Sequence, residues 1–83
     1  MYAKEITARI DLQARPATFF VQRASEFKSE IGIKKVGGRV NAKSLLGVLS
    51  LGIREGDIIT LTADGGDAEE AVTKLIQLVA GEQ

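Results

Sequence analysis

Residues 13–18 read Gln-Ala-Arg-Pro-Ala-Thr, and this stretch has the composition of a helix start. Proline is favoured in the first turn of a helix, because its missing N–H would have no intrahelical partner there. Apolar residues then recur at the spacing of one face of an amphipathic helix, namely Ala17, Phe20, Val21, Ala24 and Phe27. The stretch therefore predicts a helix that begins beside Gln13 and packs one face against a core.

A second informative stretch covers residues 41–52, Asn-Ala-Lys-Ser-Leu-Leu-Gly-Val-Leu-Ser-Leu-Gly. Ser44 stands at a good N-cap position, where its hydroxyl oxygen can accept a hydrogen bond from a free N–H of the helix that follows. That helix is short, and its apolar residues spread around most of its circumference: Leu45, Leu46, Val48, Leu49 and Leu51. Because a short surface helix needs only one apolar stripe, we expect part of this set to be exposed as a docking patch. An unusually buried short helix is the alternative.

The remaining segments predict four strands and a last helix. Asp67 and Glu70 form a pair like a capping box ahead of that helix. The strands are predicted from alternation and turn signals at Glu5–Ile10, around Ile31 and Ile33, at Arg39–Ala42 after Gly37-Gly38, and at Ile58–Ala63. The order is βαββαβα. Such a short chain buries its apolar stripes only if all three helices cover one face of a four-stranded antiparallel sheet. We predict an α+β fold with a single domain over residues 1–83.

Composition narrows the classes of function. The 83 residues include no histidine and no cysteine, which removes phosphohistidine chemistry, thiolate nucleophiles and nearly every zinc, copper or haem site, so no metal or cofactor is expected. No apolar run approaches the ~20 residues of a membrane span, and the N-terminus has no apolar signal core, so we expect a cytoplasmic protein.

Charge is balanced overall but uneven along the chain. Eleven basic and eleven acidic residues give a net charge of zero, which argues against direct binding to nucleic acid. Residues 1–43 carry nine basic and four acidic side chains. A local basic face could therefore form, with a mixed solvated surface as the alternative, from Arg15, Lys28, Lys34, Lys35, Arg39 and Lys43.

The two stretches, their spacing and the element order resemble the HPr family of bacterial phosphocarrier proteins. Family members carry His-Ala-Arg-Pro-Ala at the first stretch and Asn-(Ala/Gly)-Lys-Ser before an apolar helix at the second. The resemblance covers essentially the whole chain and implies the HPr-like open-faced β-sandwich. In the family, the histidine takes a phosphoryl group beside the N-terminus of the first helix, where free N–H groups and the helix dipole favour an anion.

Gln13 stands at the position of that histidine. A carboxamide nitrogen is not a phosphoryl acceptor at neutral pH, so the resemblance implies a non-catalytic protein that cannot carry phosphohistidine. Family members usually have glycine where this chain has Asp11, and a carboxylate there is expected to repel phosphate. Asp11 also speaks against an engineered His-to-Gln change, which would leave the glycine in place. The Crh-type proteins of carbon catabolite repression, which have glutamine at the carrier position, are the more similar subgroup.

Ser44 matches the serine that HPr kinase/phosphorylase phosphorylates in the family. By resemblance, the phosphorylated protein would act as a corepressor for catabolite control protein A, a LacI-type repressor, as a monomer or weak dimer. We expect Arg15, Ser44, Leu45 and Leu49 to form the docking face, and Lys43 to pair with the phosphate or an acidic partner. The alternatives are the phosphocarrier HPr of the phosphotransferase system, in an inactive or His-to-Gln form, and a binding regulator of a metabolic enzyme.

Overall fold

The computed structural model describes residues 1–81 and shows the predicted order of elements. The strands are β1 (Tyr2–Thr7), β2 (Glu30–Lys35), β3 (Gly38–Asn41) and β4 (Ile58–Asp64), and the helices are α1 (Ala14–Ala24), α2 (Leu45–Ser50) and α3 (Ala68–Val79). The α+β prediction is confirmed. The predicted domain over residues 1–83 includes two residues, 82 and 83, that lie outside the described residues.

The four strands form one antiparallel sheet in the order β1-β4-β2-β3. Alternate residues of the central strand β4 point to the core, where Ile59, Leu61 and Ala63 are buried. The register places Ile6 of β1 opposite Ile59, and Ile33 of β2 opposite Leu61. Since side chains on paired residues share a face, these residues build the apolar face that the helices cover.

The helices pack on this face around a single cluster of buried apolar side chains. α3 lies over β4 and β1, while α1 packs against both α2 and α3. Phe20 of α1 is the largest fully buried side chain. The inward face of α3 contributes its apolar stripe to the same core: Ala68, Ala71, Val72, Leu75 and Val79. Within residues 1–81, no helix is both long enough and apolar enough to cross a membrane.

Two local predictions are wrong. The first strand covers Tyr2–Thr7 instead of Glu5–Ile10; beyond it, Ala8 bonds to the turn before β4, where its N–H donates to the Asp57 carbonyl at 2.8 Å. Asp67 is the N-cap residue of α3, but its side chain makes no capping hydrogen bond there. Its carboxylate instead accepts hydrogen bonds from the backbone N–H groups of Lys28 and Ser29 and from the Ser29 hydroxyl. Instead of closing a capping box, Asp67 joins the α1–β2 loop to the start of α3; we call this contact the clasp.

Candidate functional site

Gln13 is held in place by the loop before it. The β1–α1 loop, residues 8–12, is bonded to the α2–β4 turn, residues 52–57: the Leu12 N–H donates to the Ile53 carbonyl at 3.0 Å, and the Gly56 N–H donates to the Ala8 carbonyl at 2.8 Å. The Leu12 and Ile53 side chains are both fully buried. Gln13 thus leaves an anchored loop and enters α1 as its N-cap residue, with an extended backbone.

The first residue of α1 has an unusual backbone. Ala14 has φ of +51°, the left-handed region, which costs a non-glycine residue roughly 1–2 kcal/mol. Gln13 and Arg15 on either side of it are exposed. No side chain caps this end of α1 in the described structure, and its first turn contains no acidic residue. The helix therefore starts with free N–H groups and the Arg15 guanidinium, an arrangement that suits an anion.

Ser44 is the N-cap of α2, as predicted. Its hydroxyl oxygen accepts a hydrogen bond from the Gly47 N–H at 3.1 Å, and its carbonyl accepts one from the Val48 N–H at 2.9 Å. A Cβ atom on Gly47 would lie 3.2 Å from the Ser44 hydroxyl oxygen, so the absence of a side chain there allows the close approach. Ser44 itself is half-buried, which leaves part of the residue open to solvent.

The Lys43 side chain makes a contact within the protein. Its Nζ atom donates to the Phe27 carbonyl at 2.7 Å, and its backbone N–H donates to Oδ1 of Asn41 at 2.8 Å. The ammonium thereby links the segment before α2 to the middle of the α1–β2 loop. Phe27, predicted on the helix stripe, lies beyond the end of α1. In the unphosphorylated chain the Lys43 ammonium is thus engaged in an internal contact, and its pairing with a phosphate or an acidic partner stays a prediction.

The exposed leucines of α2 include Leu45, as expected, and Leu46 in place of Leu49. Val48 is buried, while Leu46 is 81% exposed and Leu45 is 39% exposed. Leu49 is half-buried and packs against the core. Leu46 was missed, although the helical period contains the signal: at about 100° per residue it lies roughly 160° from Val48. We call Arg15, Ser44, Leu45, Leu46 and Leu49 the candidate docking face; its two helices, α1 and α2, pack against each other.

The far end of α2 is held by a lysine. Lys35 Nζ donates to the carbonyl oxygens of Leu51 and Gly52 at 3.2 and 3.1 Å, and lies 2.9 Å from Oδ2 of Asp57. A cation at the C-terminal end of a helix interacts favourably with the negative end of the helix dipole. The Arg54 N–H, followed by the Lys35 ammonium, lowers the pKa of Asp57 below the ordinary value of 3.8. Lys35 and Asp57 thus hold the segment that follows α2 against the sheet.

The predicted basic face does not form as one surface. Lys35 and Lys43 use their ammonium groups in internal contacts. Arg39 lies on the uncovered side of the sheet, where its guanidinium crosses Gly32 and reaches the Thr62 hydroxyl at 3.3 Å. Within residues 1–81, no group of three or more acidic side chains is placed to hold a metal ion. Arg15, in the first turn of α1, is exposed and lies beside the start of that helix.

Comparison with known proteins identifies the family that shares this architecture. A family model described as "PTS HPr component phosphorylation site" matches residues 3–81. The chain belongs to the HPr family. The match includes both Gln13 and Ser44, and it covers nearly all the residues that the structure describes.

Individual relatives agree with this assignment. The chain is 49% identical over 78 residues to the HPr-like protein Crh of Halalkalibacterium halodurans, covering 94% of this chain and 93% of that protein. The HPr crystal structure from Bacillus anthracis superposes with a TM-score of 0.91 at 46% identity, covering 94% and 95% of the two chains. A crystal structure of Bacillus subtilis Crh, an intertwined dimer with a swapped domain, gives 0.82 at 44% identity, covering 94% and 87%.

Membership of the HPr family identifies the group of proteins to which this chain belongs, and does not by itself assign its individual role. Its relatives are named as a phosphocarrier protein, in the case of HPr, and as a catabolite repression protein, in the case of Crh. The chain is thus an HPr-like protein of the phosphotransferase and catabolite repression group. The roles of Gln13 and Ser44 within that group remain predictions.

Proposed function

We propose that this protein is a regulator whose binding to a partner is switched by phosphorylation of Ser44, and that it does not carry a phosphoryl group. The observation that carries the proposal is the N-cap geometry of Ser44 beside the exposed side chains of Leu45 and Leu46. A modification at Ser44 would change charge directly next to an apolar surface. Such a change alters what can dock there more than it alters the fold.

Phosphorylation is compatible with the N-cap position. A phosphoserine adds about −1.5 to −2 charge at neutral pH and three acceptor oxygens. The free N–H groups at the start of α2 are donors, and the Gly47 N–H already faces the Ser44 hydroxyl at 3.1 Å. We therefore expect the phosphorylated residue to keep α2 folded.

The carrier role is disfavoured by chemistry at Gln13. The chain contains no histidine, and the lone pair of a carboxamide nitrogen is delocalised into its carbonyl group. The anion-binding features around the start of α1 fit a surface that contacts a phosphate or an acidic side chain of a partner. We assign Arg15 that contact, since its guanidinium can form paired hydrogen bonds with either group.

The proposed partners are HPr kinase/phosphorylase, which would modify Ser44, and catabolite control protein A, which would bind the modified form. Both belong to the cytoplasm, where we place this protein, and neither role requires the chain to contact DNA or a membrane. We propose a monomer in equilibrium with a weak dimer. The intertwined dimer of Bacillus subtilis Crh supports self-association as a property of such proteins.

Two labelling reactions test the proposal. ATP with HPr kinase/phosphorylase should place acid-stable phosphate on Ser44, and Ser44→Ala should remain unlabelled. Phosphoenolpyruvate with the first enzyme of the relay should leave the protein unmodified. Acid-labile phosphate in the second reaction would establish a carrier instead. Phosphate on another residue in Ser44→Ala would show that Ser44 is not the switch.

A further inference from the structure

The β1–α1 loop and the α2–β4 turn are joined by more than backbone hydrogen bonds. Asp11 Oδ1 accepts a hydrogen bond from the Glu55 N–H at 2.7 Å, across 44 residues of sequence. This contact lies two residues before Gln13. The glycine that the family resemblance implies for this place would offer no side-chain acceptor, so the contact depends on the aspartate.

The α2–β4 turn is also bonded to the end of α2. Asp57 Oδ2 accepts from the Arg54 N–H at 2.9 Å and contacts Lys35 Nζ at 2.9 Å. The same ammonium donates to the Leu51 carbonyl, the C-cap residue of α2. A continuous set of contacts therefore runs from Asp11, through residues 54–57 and Lys35, to the helix that carries the exposed leucines.

We propose that Asp11 is a positioning residue, which fixes Gln13 and Arg15 relative to α2 by anchoring the β1–α1 loop to the α2–β4 turn. The candidate docking face consists of two segments that are distant in sequence. A partner that touches both segments needs them at a constant separation. The proposal rests on the proposed function for its effect on binding, while the anchoring itself is a property of the free protein.

This role differs from the repulsion of phosphate that the sequence suggests for Asp11. In repulsion, the negative charge acts on an arriving anion. In positioning, a side-chain oxygen acts as an acceptor for the Glu55 N–H. Asparagine separates the two, because it removes the charge and keeps a carbonyl oxygen that can accept the same hydrogen bond.

The test compares Asp11→Ala and Asp11→Asn with the parent chain, using isotope-labelled full-length protein. In Asp11→Ala, amide exchange at Glu55 should become about tenfold faster. The backbone chemical shifts of Gln13–Ala17 should move, while those of α3 should not. The affinity of the Ser44-phosphorylated variant for the LacI-type repressor should fall about fivefold. Asp11→Asn should restore Glu55 exchange and repressor affinity to within about twofold of the parent.

Each arm has an outcome that overturns the proposal. Unchanged Glu55 exchange and unchanged Gln13–Ala17 shifts in Asp11→Ala would show that the carboxylate anchors nothing. An equal change of affinity, up or down, in Asp11→Asn and Asp11→Ala would assign the effect to charge. If the phosphorylated parent chain does not bind the repressor, the proposed function fails, and the exchange and shift measurements still decide the positioning role.

Discussion

At the scale of single residues, Ser44 combines two roles that can be separated by mutation. Its hydroxyl oxygen caps α2 through the Gly47 N–H, and in the proposed function the same oxygen receives a phosphate. Any substitution that removes phosphorylation therefore also affects the helix, unless the new side chain can cap. Serine, threonine, aspartate and asparagine all cap well, whereas alanine does not.

We predict that Ser44→Ala loses about 1 kcal/mol of unfolding free energy, and that Ser44→Asp loses little, because aspartate retains the cap. Neither variant should be labelled by the kinase. Denaturant unfolding of the two variants beside the parent chain measures the cap. Equal stability of all three proteins would mean that the hydrogen bond to Gly47 contributes nothing.

At the scale of the elements, α2 has one buried side and one open side, and its leucines divide between them. Val48 faces the core, Leu49 is half-buried, and Leu46 is 81% exposed. The helix has only six residues, too few to be stable by itself. Its position therefore depends on Val48, on the Ser44 cap and on the Lys35 ammonium at its far end.

We predict that two leucine truncations in α2 affect different properties, partner binding for one and stability for the other. Leu46→Ala should change the unfolding free energy by less than about 0.5 kcal/mol, because an exposed side chain loses few contacts. It should weaken repressor binding by the phosphorylated protein several-fold. Leu49→Ala should cost about 1–2 kcal/mol of stability, below the ~2–5 kcal/mol of a fully buried leucine.

Paired measurements of denaturation midpoint and partner affinity distinguish the two sides of α2. Leu46→Ala with full affinity would remove Leu46 from the docking face. Leu49→Ala with unchanged stability would mean that the helix turns its other side to the core.

At the scale of the whole molecule, two aspartates join segments that are far apart in sequence and make stability depend on pH. The hydrogen bond from the Ser29 hydroxyl is the main cause that lowers the pKa of Asp67 below 3.8, and the Arg54 N–H does the same for Asp57. A carboxyl with a lower pKa in the folded state stabilises the fold when ionised. That contribution is present above the unfolded pKa and is lost as pH falls through the folded value.

We predict that unfolding free energy changes little near neutral pH and falls below about pH 4. Asp67→Asn should lower stability at about pH 6 and lose less than the parent chain on going to about pH 3. The matched control is Asp64→Asn, at an exposed residue three positions earlier. Identical pH profiles for Asp67→Asn and the parent would show that the clasp to Ser29 does not contribute.

The sequence predicts the architecture well because the apolar period identifies the helices and strands, and because Ser44 and Pro16 mark helix starts. It does not predict the contacts made by charged side chains across long separations. Asp67 reads as a cap from its neighbours, yet its partners are Lys28 and Ser29. The Lys43 ammonium donates to the Phe27 carbonyl, 16 residues away in sequence, and the sequence does not indicate this contact. Such partners depend on how loops meet in three dimensions, which no local pattern records.

The most direct test of the account is the affinity of the repressor for the Ser44-phosphorylated and unmodified proteins, measured side by side by titration calorimetry. The account predicts binding that is about tenfold or more tighter for the phosphorylated form. Ser44→Ala treated with the kinase should behave like the unmodified protein. Equal affinity of the two forms would contradict the claim that phosphorylation of Ser44 switches binding.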